Sequence, residues 1–101
     1  MKNLTMVVHA NLLQDFTDIL RSIDVVQGFT ISHVEGHGTH VGQNPFLSTH
    51  DKVVGHTPRL CVDVILEDND VKTVLQEIAG SSLGAGQGIY WVTDVHESGR
   101  I

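Results

Sequence analysis

The sequence predicts an α+β fold in which one face of a four-stranded antiparallel sheet carries two helices. Three observations lead to this prediction. Four short segments have the composition or the alternation of strands, two segments repeat apolar residues at helical spacing, and the elements follow one another as strand, helix, strand, strand, helix, strand. That order is typical of the ferredoxin-like βαββαβ arrangement. The chain has 101 residues, of which 41% are hydrophobic, and this supports a single domain over residues 1–101.

The first strand is predicted over "LTMVVH", residues 4–9, because every second residue is strongly apolar. Asn11 follows at a position where its side-chain oxygen would cap a helix, and Gln14 stands three residues later, as in a capping box. This helix is expected to present an apolar stripe to the sheet and to end before Gly28. The stripe consists of Leu13, Phe16, Leu20 and Ile23.

The second strand is expected over residues 29–35, and the third over "RLCVDVILE", residues 59–67, where the alternation is regular. The acidic residues of "DND", residues 68–70, would stabilise the positive end of a second helix. The apolar stripe of that helix consists of Val71, Val74, Leu75 and Ile78. After the glycine-rich turn "GSSLGAGQG", the last strand is predicted over "IYWVTDV", residues 89–95.

In this arrangement the helices cover one face of the sheet, so the side chains on the other face would meet water. The residues expected on that face are Thr5, Val7, His9, Cys61, Asp63, Ile65, Tyr90 and Val92. They mix apolar and polar groups, whereas a solvated surface would carry mostly charges. Such a face is typical of a protein interface, and the sequence therefore predicts a homo-oligomer.

Charge and hydropathy argue against several classes of protein. The net charge is −6, and the six lysines and arginines are scattered, so no basic stripe is available for nucleic acid. No apolar run approaches the roughly 20 residues of a transmembrane helix, and membrane insertion is not expected. The N-terminal segment lacks the apolar core of a signal peptide, so we expect a cytoplasmic protein. No nucleophile or acid–base constellation emerges, and neither enzyme activity nor a catalytic residue is predicted.

A long segment, "GHGTHVGQNPFLSTHDKVVGHTP" at residues 36–58, holds four of the seven histidines and has almost no hydrophobic periodicity. Connections of this length in a small domain commonly bind or regulate something. Neutral imidazoles are good ligands for Zn, Cu or Ni, so a divalent transition-metal site is one hypothesis. Its ligands would be His33, His37 and His40, with His50, His56 or His96 as further ligands. Exposed histidines without a ligand are the alternative interpretation.

The glycine-rich stretch "GAGQG", residues 84–88, permits two interpretations. Glycines allow backbone amides to surround an anion such as phosphate. This stretch, however, follows a helix and precedes a strand, which is the reverse of a P-loop, and it contains no lysine. A tight connection between helix and strand is therefore the second interpretation.

Several strings together resemble the PII (GlnB-like) signalling superfamily over nearly the whole chain. "VEGHG", residues 34–38, looks like the Gly-x-Gly motif at the start of the family's T-loop, and "TPRLCVDVILEDNDVKTVLQEI" looks like the segment after this loop. Pro58 and Arg59 stand where the family often has Pro-Lys. "GQGIYWVTDVHESGRI" is similar to the family's GDGKIFV stretch and its continuation. "YWV", "ESGRI" and the histidine-bearing loop look closest to a PII-like branch of unknown function found near proteobacterial heavy-metal efflux genes.

The resemblance implies a homotrimer that binds an effector, such as an adenine nucleotide, in clefts between subunits. The effector-site residues that it implies are Gly36, Gly38, Gly86, Gly88 and Arg100. Ile89 stands where the family has a lysine, which removes positive charge that ATP would need. A T-loop-like segment, about residues 37–57, would dock a partner, and a membrane transporter or efflux protein is expected. The alternative function is that of a metal-binding or metal-sensing accessory protein that uses the histidines.

Overall fold

The computed structural model describes residues 1–38, 57–84, 86 and 88–101, so most of the T-loop-like segment, residues 39–56, lies outside the described residues. The elements are β1 (Lys2–His9), a 3-10 turn (Ala10–Leu12), α1 (Leu13–Ser22), β2 (Thr30–Gly36), β3 (Thr57–Leu66), α2 (Asp70–Ala79) and β4 (Gly88–Asp94). The four strands form one sheet in the order β2-β3-β1-β4, and each neighbouring pair is antiparallel. The predicted ferredoxin-like α+β fold is confirmed.

The hydrophobic core lies between the sheet and the two helices. From β1 and β3 it takes the residues Leu4, Met6, Val8, Leu60, Val62, Val64 and Leu66, all at most 4% exposed. Phe16 and Leu20 of α1 and Val74 of α2 pack on this layer, as their helical spacing predicted. The alternation of β1 and β3 therefore identified the buried side of the sheet correctly. No helix in the described part of the chain is long and apolar enough to cross a membrane.

The first helix begins differently from the prediction. His9 has an extended backbone, and its Nδ1 accepts a hydrogen bond from the backbone N–H of Asn11 at 3.0 Å. His9 therefore caps the 3-10 turn, and α1 begins after Leu12 without a side-chain cap, so the prediction that Asn11 caps the helix is wrong. Gln14 does not form a capping box, because its Nε2 donates to Asp18 Oδ1 at 2.9 Å. The physical reason is that β1 runs directly into the 3-10 turn, so the last residue of the strand is already placed to cap it.

The register of β4 corrects the prediction of which residues face away from the helices. Tyr90 pairs with Met6 and Val92 pairs with Leu4. Directly paired residues of antiparallel strands share a face, so Tyr90 and Val92 lie on the helix side of the sheet. Their expected place on the open face is wrong, and that place belongs instead to Ile89, Trp91 and Thr93. Alternation misled here because both faces of this edge strand carry apolar side chains.

The open face of the sheet, opposite the helices, combines exposed apolar side chains with a carboxylate that accepts two hydrogen bonds. Ile65 is 43% exposed, Trp91 45% and Ile89 65%. Between them, Asp63 Oδ1 accepts hydrogen bonds from Thr5 Oγ1 at 2.7 Å and from Asn3 Nδ2 at 3.2 Å. This is the mixed apolar and polar surface that the sequence predicted.

Candidate functional site

Two of the four candidate glycines mark the same end of the sheet. Gly36 is the last residue of β2, and Gly88 is the first residue of β4. Gly38 and Gly86 lie two residues beyond these strand ends. Because β2 and β4 are the two edges of the sheet, Gly36 and Gly88 are separated by three strand spacings, about 14 Å, and by an offset of three residues, about 10 Å, along the strands. We call this the loop end of the sheet, since the chain leaves β2 here and returns here to begin β3.

The side chain of Arg59 lies directly over Gly36. A Cβ added to Gly36 would come within 2.2 Å of Arg59 Nε and 2.4 Å of its Cδ, so the guanidinium stem occupies the space that another residue would fill. Arg59 is partly buried, and among the described residues no carboxylate forms an ion pair with it. No role for Arg59 was predicted from the sequence, although the Pro58-Arg59 pair was a signal for one. At the loop end, the side chain of Arg59 therefore packs over the backbone of Gly36.

Replacing Gly36 with alanine is expected to displace Arg59 while leaving the fold intact. The added methyl group meets a long, flexible side chain, so we expect the free energy of unfolding to fall by about 1 kcal/mol or less. The NMR signal of the Arg59 Nε–H group should shift. Gly38→Ala is the matched control, because its Cβ would meet nothing within 4 Å and the Arg59 signal should stay in place. An unchanged Arg59 signal in Gly36→Ala would contradict the contact.

Gly88 has a packing role of its own. A Cβ at this position would lie 2.1 Å from the backbone oxygen of Val7 and 2.9 Å from Val8 Cγ1. Since a backbone oxygen in a sheet has little room to move, β4 requires a glycine here in order to pair with β1. The presence of Gly88 is therefore explained without a ligand.

Arg100 lies at the opposite end of the sheet from the glycines. It lines a groove of about 680 Å³ together with Gln27, Gly28, Thr30, Asp63 and Ile65. Lys2 of β1, which pairs with Leu66 and Asp94, marks this end, and the eight residues of β1 span roughly 25 Å. One chain therefore does not bring Arg100 together with the glycines.

The Arg100 groove, as we call this cavity, is rich in carboxylates. Asp63, Glu67 and Asp70 line it together with Arg100. The hydrogen bonds from Thr5 and Asn3 hold Asp63 in one orientation. A ligand that suits this groove would offer N–H or O–H donors to Asp63 and an anionic group to the guanidinium of Arg100.

Two exposed ion pairs flank this end of the sheet. A hydrogen bond to Asp94, together with its charge, raises the pKa of Lys2. The Met1 amino group lies 2.7 Å from Asp68 Oδ1, and this hydrogen bond lowers the pKa of Asp68. These acids are therefore engaged by groups other than Arg100.

The candidate metal ligands that the structure describes lie towards both ends of the sheet. His33 and Glu35 share the helix side of β2, and His37 Nε2 lies 2.7 Å from Glu35 Oε2. His96 follows β4 at the Arg100 end. The candidate ligands His40, His50 and His56 lie outside the described residues. No group of three histidine, cysteine, aspartate or glutamate side chains suited to a metal occurs within the described residues, and the metal site stays a prediction.

The fold defines a small ferredoxin-like protein, and its curated relatives are PII proteins. The chain is 25% identical over 103 aligned positions to "Nitrogen regulatory protein P-II 1" of Methanothermobacter thermautotrophicus, an alignment that covers 100% of this chain and 89% of that protein. It is 26% identical to "Nitrogen regulatory protein P-II" of Rhizobium meliloti, with coverages of 100% and 91%.

The particular family follows from a match over the whole chain. The family described as "Protein of unknown function (DUF3240)" matches residues 1–101, and the chain belongs to this family. The crystal structure of a DUF3240 family protein from Shewanella baltica superposes with a TM-score of 0.75 at 13% identity, covering 99% of this chain and 94% of that one. This similarity supports the fold, and the resemblance to PII proteins inferred from the sequence is confirmed.

Proposed function

We propose that this protein is a non-enzymatic, trimeric PII-like regulator that binds a small effector in clefts between its subunits. The observation that carries the proposal is the position of Arg100, roughly one strand length away from Gly36 and Gly88. If these residues serve one ligand, a second copy of the chain must bring its Arg100 groove to the loop end of the first. The regulatory role is supported by the relatives, which are named as nitrogen regulatory proteins.

The open face supplies a reason for the copies to assemble. It exposes Ile65, Ile89 and Trp91, and burial of apolar area contributes about 25 cal/mol for each Å² removed from water. The Arg100 groove is partly lined by residues of this same face, Thr30, Asp63 and Ile65. Contact between copies would therefore bury the apolar side chains and close the groove in one step.

The chemistry of the two ends suits an adenine nucleotide. Arg59 and Arg100 would bind phosphate oxygens from opposite sides of the cleft, and Asp63 would accept hydrogen bonds from amino or hydroxyl groups. Ile89 supplies no charge where the PII resemblance expects a lysine. Because the cleft would hold two arginines but lack this lysine, the additional phosphate charge of ATP gains no further cation. We therefore expect AMP, ADP or a cyclic nucleotide to compete well with ATP.

A complementation experiment tests whether the site is shared between subunits. Arg59→Ala and Arg100→Ala should each lower the affinity of the best nucleotide by about tenfold or more, because each removes a charged hydrogen-bond donor. When the two variants are refolded together at equal amounts, about one quarter of the interfaces should regain both arginines. Calorimetry with ATP, ADP, AMP and cyclic AMP should then detect that fraction of tight sites.

The controls separate the possible failures. Arg21→Ala changes an arginine of α1 that does not line the groove and should leave nucleotide affinity unchanged. Loss of binding in both variants without recovery on mixing would place the site within one chain. An unchanged affinity in Arg100→Ala would contradict the assignment of the groove, and the absence of saturable binding to the unmodified protein would contradict the nucleotide.

The proposed readout is the T-loop-like segment, about residues 37–57. It leaves the sheet beside Gly36 and Arg59. An effector bound there would shift the segment towards the conformation for which the effector has the higher affinity. We propose that this segment docks a membrane transporter or efflux protein from the cytoplasmic side.

A further inference from the structure

A second cavity lies on the helix side of the sheet, near its loop end. Its volume is about 310 Å³, and it opens to solvent between α2, β4 and Gly84 and Gly86 of the turn that connects them. Buried core residues form its floor, with Phe16 2% and Met6 3% exposed. Leu75, Ile78 and Ala79 of α2 and Tyr90 of β4 form its walls. We call this cavity the helix-side pocket.

The pocket exists because the helices do not cover β4. Tyr90 is on the helix side and yet remains 57% exposed, and Val92 beside it is 39% exposed. The turn adds no side chains at Gly84 and Gly86, which have φ angles of +72° and +81°. A Cβ at either glycine would meet nothing within 4 Å, so this rim of the pocket is open. The space therefore follows from the backbone of the turn and from an uncovered edge strand.

The chemistry of the lining indicates the kind of molecule that fits. No charged side chain lines the pocket among the described residues, and Tyr90 provides the one side-chain hydroxyl there. A charged group packed on this lining would lose its hydration without gaining a partner, which is costly. The volume lies at the lower end of the range for small-molecule sites, about 300–1,000 Å³, which are mostly apolar with few polar groups. A nucleotide or a metal ion therefore does not suit this pocket.

We propose that the helix-side pocket binds a small, uncharged, mostly apolar molecule such as an aromatic ring compound. This pocket shares Gly86 and Gly88 with the candidate effector-site glycines, but neither Arg59 nor Arg100 lines it, and it shares no residue with the Arg100 groove. The ring would pack on Met6, Phe16 and Ile78, and one polar group would reach the Tyr90 hydroxyl or the backbone of the turn.

Indole and indole-3-acetate provide the test in the unmodified protein, because they share a ring system and differ in charge. Indole should shift the methyl NMR signals of Met6, Leu75 and Ile78 in a saturable way. Indole-3-acetate should bind about tenfold more weakly or worse, because its carboxylate finds no cation in the pocket. Equal affinity for the two compounds, or shifts that do not saturate with indole, would overturn the proposal.

A pair of leucine substitutions on α2 locates the site. Ala79→Leu adds three carbons inside the pocket and should weaken indole binding by about tenfold or more. Gln76→Leu adds a leucine at an exposed position of the same helix that does not line the pocket, and indole affinity should change by less than about twofold. Unchanged binding in a folded Ala79→Leu variant would also overturn the proposal. If that variant does not fold, the comparison of the two indoles decides the question alone.

Discussion

Replacing Trp91 with glutamate is expected to convert the protein from the proposed trimer into single subunits, a threefold fall in mass. Trp91 lies on the open face, where it pairs with Thr5 and is 45% exposed in the single chain. Assembly through this face would bury the new carboxylate without a cation and would cost several kcal/mol. Sedimentation equilibrium at a fixed micromolar concentration measures the mass directly.

Tyr90→Glu is the matched control for this experiment. Tyr90 is the preceding residue of the same strand, is 57% exposed and faces the helix side, so its substitution should leave the mass unchanged. The two variants also test the register of β4, because the structure places Trp91 on the open face whereas the sequence pattern placed Tyr90 there. If Tyr90→Glu dissociates the protein and Trp91→Glu does not, the interface lies on the helix side of β4 and not on the open face. A single-subunit mass for the unmodified protein would refute the trimer.

Replacing Gly88 with alanine is expected to destabilise the protein by about 1–3 kcal/mol, the usual cost of forcing extra atoms into a packed region. The methyl group would lie 2.1 Å from the backbone oxygen of Val7, so the beginning of β4 must move away from β1. For a domain of this size the unfolding midpoint should fall by about 4–8 °C for each kcal/mol. Thermal unfolding followed by circular dichroism, at constant protein concentration, measures the change.

Gly28→Ala controls for the general effect of replacing a glycine. It adds the same methyl group where nothing lies within 4 Å, and its backbone does not have a positive φ. We expect its midpoint to stay close to that of the unmodified protein, or to rise slightly because alanine restricts the unfolded chain. If both variants unfold at the same temperature, the close approach of β4 to β1 at Gly88 is refuted.

The residues of the candidate site were predictable to different degrees. Gly36 and Gly88 were identified from their motifs, but the reasons for them, the overlying Arg59 and the backbone of Val7, are contacts between strands. Such contacts depend on which residue lies beside which across the sheet, and local spacing carries no information about that. The helix-side pocket was missed for a similar reason, because it results from a strand that the helices leave uncovered.

The sequence by itself determined the order of the elements and the buried side of β1, β3 and both helices, except that Leu13 of the predicted α1 stripe is 40% exposed. Their patterns are strong and local: in residues 4–8 and 60–66, for example, one set of alternate residues is apolar without exception. Only the tertiary structure decided which side of β4 faces the helices and how far Arg100 lies from the glycines. Both depend on strand register and sheet order, which are set by contacts between residues far apart in the sequence, such as Met6 with Tyr90, 84 positions away.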